Sequence, residues 1–289
     1  MRERLILNVM NSLKEENYHF IYFGLPIIDF YAEKGEKKLV IKVYYDALAL
    51  KKEIADEIKV LAEYLETLPV IVAEKLKNKL QDNIIYERYD LIVLSPSTFR
   101  KFLKKEIFVV KRQGKDLVVL LNKERFQNKI REMRTSEIIN NTGISKSALI
   151  KYKLGKANPS IDIAIKLGEL LGFDIFKTLS EYMKEKLHTN ISLKEEIAKK
   201  LKDLGFNVYE IKRFCANILL KEKERIGFTY ENYYQKYKEL LYELKEKLKV
   251  EPIVISNKKK ENDFIFIRKE DILKIKSKEE LLWELGLSS

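Results

Sequence analysis

The sequence predicts two related α/β units on either side of a central all-α segment. Three observations carry that prediction. An apolar pattern of helix, strand and strand returns 188 residues later, a run of short capped helices fills the middle, and 289 residues is about twice a common domain length. Hydrophobic residues make up 46% of the chain, enough to build cores and exclude wholesale disorder. The longest apolar runs, such as Leu117–Leu121, are too short to span a bilayer, and no apolar leader core follows Met1-Arg2-Glu3-Arg4. One cysteine, Cys215, and two histidines, His19 and His188, exclude a disulfide scaffold and a Cys/His zinc site. A cytoplasmic protein without membrane partner, metal or cofactor is expected.

The first unit, residues 1–106, starts with Leu13–Phe20, the end of an amphipathic helix turning into a strand, and continues in a second apolar strand at Ile27–Ala32. A helix over Leu50–Leu68 leads into the strand Leu68–Ala73. The strand Asp90–Leu94 then precedes a helix at Ser97–Leu103. The last unit, residues 188–289, runs through the same order: Leu201–Val208, Cys215–Leu220, a helix over Tyr230–Leu248, Glu251–Ser256, and Asp263–Ile267 before Glu270–Ile275. Five correspondences in one order point to an internal duplication. The connector, residues 107–121, holds two apolar runs around Gln113-Gly114 and reads as a β-hairpin that braces the helices after it.

The helical segment, residues 122–187, holds the charge. The chain has 56 Lys+Arg against 44 Asp+Glu, a net +12. Residues 122–159 carry nine bases and three acids, half of that surplus, and no acid falls between Ile138 and Pro159. Asn122 caps a helix with the stripe Phe126, Ile130 and Met133. Thr135 or Ser136 is expected to cap a second, short helix that Gly143 ends in a left-handed turn, with Ile144 buried. Ser145 caps a third helix running to Leu154. Ser160 caps a fourth, whose Ile161, Ala164, Ile165, Leu167, Leu170 and Leu171 are expected to face a core. Short helix, glycine turn and capped helix describe a helix-turn-helix, whose last helix enters the major groove. The alternative is a helical hairpin with solvated lysines.

The residues Thr135–Ser147, continued by Tyr152–Ser160, resemble the Cro/lambda-repressor (XRE) type of helix-turn-helix over about residues 122–176. Two features depart from that pattern: the connection between the first two helices is a residue or two short, and Ile139 stands where a small Ala is usual. The resemblance implies a lambda-repressor-like domain whose base-reading positions fall on Lys146, Ser147 and Lys151, with Ser145 gripping a phosphate. Arg131, Lys153 and Lys156 are expected phosphate contacts. Ile150 is either a thymine-methyl contact or a packing residue.

The flanking order of helix, antiparallel hairpin, crossover helix and parallel strand resembles the restriction-endonuclease-like, or PD-(D/E)XK, fold. That family implies an Asp on one strand and a carboxylate or Gln two residues before a Lys on the next, holding Mg²⁺. Asp29 and Lys42 stand in order, but Val40 replaces the second carboxylate, and the last unit has Asn217 in place of Asp29. Both units are therefore expected to be degenerate, with Asp29 and Lys42 a structural ion pair. A Mg²⁺-dependent nuclease using those two residues is the rival reading. The whole order, with Ile28–Ala32, Leu39–Val43, Leu68–Glu74 and Tyr86–Tyr89 ahead of the helices, resembles archaeal XRE-type transcriptional regulators. The resemblance implies a regulator of double-stranded DNA that occupies an operator, with no catalysis. Because single readers bind weakly, a homodimer on a pseudo-palindrome is expected; the sequence leaves any small-molecule effector unknown. The tyrosines at 230, 233, 234, 237 and 242 are either a base-stacking platform or a buried helix face.

Overall fold

A computed structural model describes residues 1–187, 189, 193–257 and 263–287. His188, named above, lies outside the described residues. The chain packs as two compact units of interleaved segments. The first comprises Met1–Tyr18, Val43–Leu50 and Val70–Leu187, and the second His19–Lys42, Lys51–Pro69 and His188–Ser289.

From the N-terminus the elements are α1 (Arg2–Glu15), β1 (His19–Tyr22), β2 (Phe30–Lys34), β3 (Lys37–Asp46), α2 (Lys52–Leu65), β4 (Leu68–Leu76), β5 (Asn78–Lys79), β6 (Tyr86–Arg88), β7 (Leu91–Leu94) and α3 (Pro96–Lys104). Their strands form a mixed sheet of order β1-β2-β3-β4-β7-β6, with β5 beside β4. β4 and β7 run parallel, Val70 opposite Ile92, and both are buried on two faces, as a central parallel strand must be. α2 buries Ala55, Ile58, Leu61, Ala62 and Leu65 at helical spacing and ends at Glu66 in the left-handed region, φ 56°. Ser95 caps α3 by accepting from Thr98 N, and Pro96 sits in its first turn, where its missing N–H costs nothing.

A hairpin follows, β8 (Val110–Gln113) and β9 (Asp116–Val119), turning through Gly114 at φ 65°. Then come α4 (Lys123–Arg131), α5 (Thr135–Thr142), α6 (Lys146–Lys153), α7 (Ile161–Leu171) and α8 (Leu179–Lys186). Val119 and Leu121 share one core with Phe126, Ile138, Ile144, Leu149, Ala164, Leu167, Leu171, Ile175 and Phe176. The hairpin thus packs into the helical core, and Val118–Ser160 and Leu121–Phe176 bridges extend the contact.

The last elements are α9 (Glu196–Asp203), β10 (Val208–Glu210), β11 (Ile218–Lys221), β12 (Arg225–Tyr230), α10 (Glu231–Leu248), β13 (Val250–Ile255), β14 (Ile265–Ile267), α11 (Lys269–Lys274) and α12 (Lys278–Glu284). β10 to β14 form a sheet in sequence order, antiparallel up to β12 and parallel from β12 through β14. Local geometry recurs at fixed spacing. Tyr18 N donates to Leu13 O at 2.9 Å, and 188 residues on Phe206 N donates to Leu201 O at 3.2 Å. Phe23 N to Asp29 O and Ile211 N to Asn217 O repeat the pattern, both at 2.8 Å. α10 ends at Lys249 in the same left-handed cap as Glu66, φ 53°.

Two tyrosines of α10 pack against phenylalanines. Tyr234 is buried edge-on against Phe264 and Phe266, with centroids 5.4 and 5.5 Å away, and Tyr242 packs 4.7 Å from Phe264. Cys215 is fully buried, which pushes its thiol pKa far up and leaves it unreactive.

Candidate nucleic-acid interface

Asn122 opens α4 by accepting from Arg125 N at 3.1 Å. Arg125, half-buried, grips both carboxylate oxygens of Glu181 on α8, at 2.7 and 2.8 Å. One of the nine bases counted in the sequence is therefore a brace inside the fold. α5 starts after Arg134, not on a Thr135 or Ser136 cap. The N–H groups of Glu137 and Ile138 bond to the Arg134 carbonyl, and no side chain caps that end.

α5 ends where the sequence indicates. Gly143 adopts φ 73° and its N–H closes on Ile139 O at 2.8 Å, a conformation that L side chains resist. Thr142, fully buried, satisfies its hydroxyl on Ile138 O at 2.6 Å. Ile144 is buried in the turn. Ser145 then accepts from Ala148 N at 3.1 Å and opens α6. Leu149 alone on α6 is fully in the core. The opposite side presents Lys146, Ser147 and Lys151 to solvent, flanked by exposed Ser145, Lys153 and Lys156. Arg131, at the end of α4, is exposed as well. Among the described residues no salt bridge engages these five basic side chains. Ile150 is 48% exposed on α6, so it is not a packing residue within the chain.

α7 departs from the sequence expectation. Ala164, Leu167 and Leu171 face the core with Gly168, whereas Ile161 and Ile165 are exposed, at 38% and 47%. The packed stripe repeats at 164, 167, 168 and 171, which turns positions 161 and 165 outward. Ser160 precedes the helix without a side-chain bond.

Two supports escaped sequence reading. Gln127 Nε2 donates to Lys153 O at 2.7 Å, tying α4 to the end of α6. Asn158 Oδ1 accepts from Leu121 N at 3.0 Å, tying the loop after α6 to the end of the hairpin. Neither leaves a local signal, because the partners are 26 and 37 residues apart in sequence.

Asp29 is fully buried and Lys42 nearly so. The ammonium lies 3.3 Å from both Asp29 oxygens and donates to Leu25 O at 2.6 Å. Val40, fully buried, stands two residues before Lys42 on β3. In the last sheet Asn217 takes the place of Asp29, while Thr229 bonds Cys215 O at 2.8 Å.

Residues 2–108 match the model of a PD-(D/E)XK superfamily domain. The metal that this fold implies does not fit the residues present. Asp29 is held in an ion pair by Lys42, and Val40 stands where the second carboxylate is expected, two residues before Lys42. Among the described residues no group of three His, Cys, Asp or Glu side chains could hold a metal ion. Archaeal relatives extend past this region. A Methanocaldococcus jannaschii protein named "Putative HTH-type transcriptional regulatory protein" is 27% identical over 233 residues, 74% of this chain and 70% of that protein. One of the same name from Archaeoglobus fulgidus is 26% identical over 272 residues, 88% and 87%. Another from Thermococcus gammatolerans is 27% identical over 236 residues, 77% and 74%. No solved structure matches the chain. No helix among the described residues is long and apolar enough to cross a membrane.

Proposed function

We propose that the chain is a sequence-specific DNA-binding transcriptional regulator that acts by operator occupancy, with residues 122–187 as an XRE-type helix-turn-helix domain. The observation that carries the proposal is α6: a helix with a Ser145 cap behind a left-handed glycine, anchored by Leu149, with Lys146, Ser147 and Lys151 exposed together. Lys can donate to guanine O6 and N7 and Ser to most base edges, so these three read sequence. Ser145, Arg131, Lys153 and Lys156 hold the phosphates and set the salt dependence. The exposed Ile150 supplies an apolar contact to a thymine methyl. Two chains pair on a pseudo-palindrome, since one reader binds weakly. The archaeal relatives named as transcriptional regulators support this reading. Residues 1–106 and 188–289 are degenerate copies of one α/β unit, as the recurring backbone bonds support, and residues 107–121 join the first copy to the reader.

The test is selection of bound fragments from genomic DNA, then titration of Lys146→Ala on the selected operator and on random duplex. A loss of about 1–3 kcal/mol at the operator and less on random DNA is expected. Equal losses on both would demote Lys146 to a phosphate contact.

The PD-(D/E)XK match favours one rival, a Mg²⁺-dependent nuclease using Asp29 and Lys42. With Val40 in place of a carboxylate, duplex and branched DNA should stay intact in Mg²⁺ or Mn²⁺. Cutting that Asp29→Ala abolishes would establish the nuclease.

A further inference from the structure

We infer that the two α/β copies meet as an internal pseudo-twofold dimer, so that the surface by which such a unit would pair with a second chain is filled by the chain's own second copy. The inference rests on the duplication proposed above and is independent of DNA binding. Every residue involved lies in the second compact unit, to which the first copy contributes β1, β2, the start of β3 and α2.

A two-fold interface is reciprocal: if residue i of one half meets j of the other, the counterparts meet as well. In one direction α2 meets the second copy. Tyr64 packs 5.5 Å from Tyr209, Arg213 N donates to Glu57 at 3.0 Å, and Glu66 pairs with Lys221 and Arg225, each at 3.0 Å. In the other direction α10 faces the first copy across two hollows. Tyr233 and Tyr237 line one hollow with Pro26, and Lys247 lines another with Ile21. Ile21 is the counterpart of Tyr209. Lys247 is the counterpart of Tyr64, at the spacing that relates the caps Glu66 and Lys249. The Tyr64–Tyr209 contact is thus answered by Lys247 beside Ile21.

Between the two halves lies a cavity of about 910 Å³. Its walls take matching positions from both copies: Glu33 with Lys221, Lys38 with Arg225, and Glu66 with Lys249. The match is fixed by register, because Glu33 lies opposite Lys38 across β2 and β3, as Lys221 lies opposite Arg225 across β11 and β12. A cavity lined by equivalent residues is what a local two-fold axis produces.

The charges show why the pairing stays inside one chain. Glu33 and Glu66 are acidic where their counterparts, Lys221 and Lys249, are basic. Inside the chain Glu66 therefore finds two cations. If second copies of two chains met, Lys249 would face Lys221 and Arg225, three like charges together. If first copies met, Glu66 would face Glu33 beside Lys38. Divergence of sign penalises both pairings between chains and leaves the internal one favoured. One chain then carries one reader for each pair of α/β copies, and two chains on a palindrome associate through another surface.

The test uses the full chain with Glu66→Cys and Lys221→Cys and a short bifunctional thiol reagent; the buried Cys215 does not compete. Cross-linking within single chains is the expected result, at protein concentrations where any two-chain species is also present. A covalent two-chain product would overturn the inference, and so would the absence of any cross-link in protein that circular dichroism shows to be folded. Glu57→Cys with Arg213→Cys gives the same readout at a second contact should the first pair disturb folding. Operator binding is scored on the same samples. Single-chain cross-linking without operator binding sinks the regulator and leaves the internal dimer standing, and the reverse outcome does the opposite.

Discussion

Asp29 and Lys42 show how one position decides what a site can do. A carboxylate with no exposed surface needs a positive partner, and Lys42 supplies it at 3.3 Å. Removing only the cation takes away the positive partner of a fully buried carboxylate. Lys42→Met should lose about 3–5 kcal/mol of stability in a denaturant melt, and adding Asp29→Asn should recover much of it. If the double variant is as unstable as the single one, packing and not charge sets the loss. Gly143 makes the complementary point for the backbone. Nothing lies within 4 Å of where its Cβ would be, so only its φ of 73° opposes a side chain. Gly143→Ala should cost about 1–2 kcal/mol in thermal unfolding, with Gly143→Asn milder, because Asn tolerates the left-handed region.

At the scale of elements, the proposed DNA reader rests on α6 and the exposed lysines beside it. Removing Lys153 or Lys156 singly should make the slope of log affinity against log salt shallower by about one, equally on operator and random DNA. An unchanged slope would place that lysine outside the bound phosphates. The elements behind the helices carry a pH-sensitive tie. Glu87 on β6 accepts from Lys111 on β8 and Tyr182 on α8, and Lys186 lies 3.6 Å away. Burial alone would raise this carboxyl, but those hydrogen bonds and cations outweigh it and hold its pKa below the usual range. A carboxyl depressed by folding stabilises the protein above its unfolded pKa, and that stabilisation disappears as pH falls through the folded value. Glu87→Gln should therefore flatten the acid limb of the stability curve below about pH 4.5. A curve of unchanged shape would show that the tie contributes nothing.

The same scale shows what the sequence made legible. Ser145 and Gly143 could be read because caps and left-handed turns depend on three or four consecutive residues. Ile161 and Ile165 could not, because apolar residues spaced four apart fit a buried stripe as well as an exposed one, and tertiary packing chose 164, 167 and 171. Arg125 could be counted only as one of nine basic residues in its segment, because its partner Glu181 lies 56 residues away.

For the whole molecule, the recurring order of elements was legible because apolar periodicity survives sequence divergence. Val40 was equally visible, standing two residues before Lys42 where the PD-(D/E)XK pattern places a carboxylate. The meeting of α2 with the second copy was not, since Tyr64 and Tyr209 carry no mark of each other.

The interleaving of segments bears on how the chain comes to be folded. Strands β1 and β2 and helix α2 emerge early in synthesis, yet the compact unit they belong to also needs residues beyond 188. Their apolar contacts, such as Phe23 with Phe214 at 5.8 Å, close loops of more than a hundred residues. Such closures are slow relative to local helix formation. The early strands can pair with β3, but the faces that pack on residues beyond 188 stay uncovered until the last third of the chain arrives. This makes the nascent chain, more than the finished protein, the stage at which chaperone capture and misassembly would act.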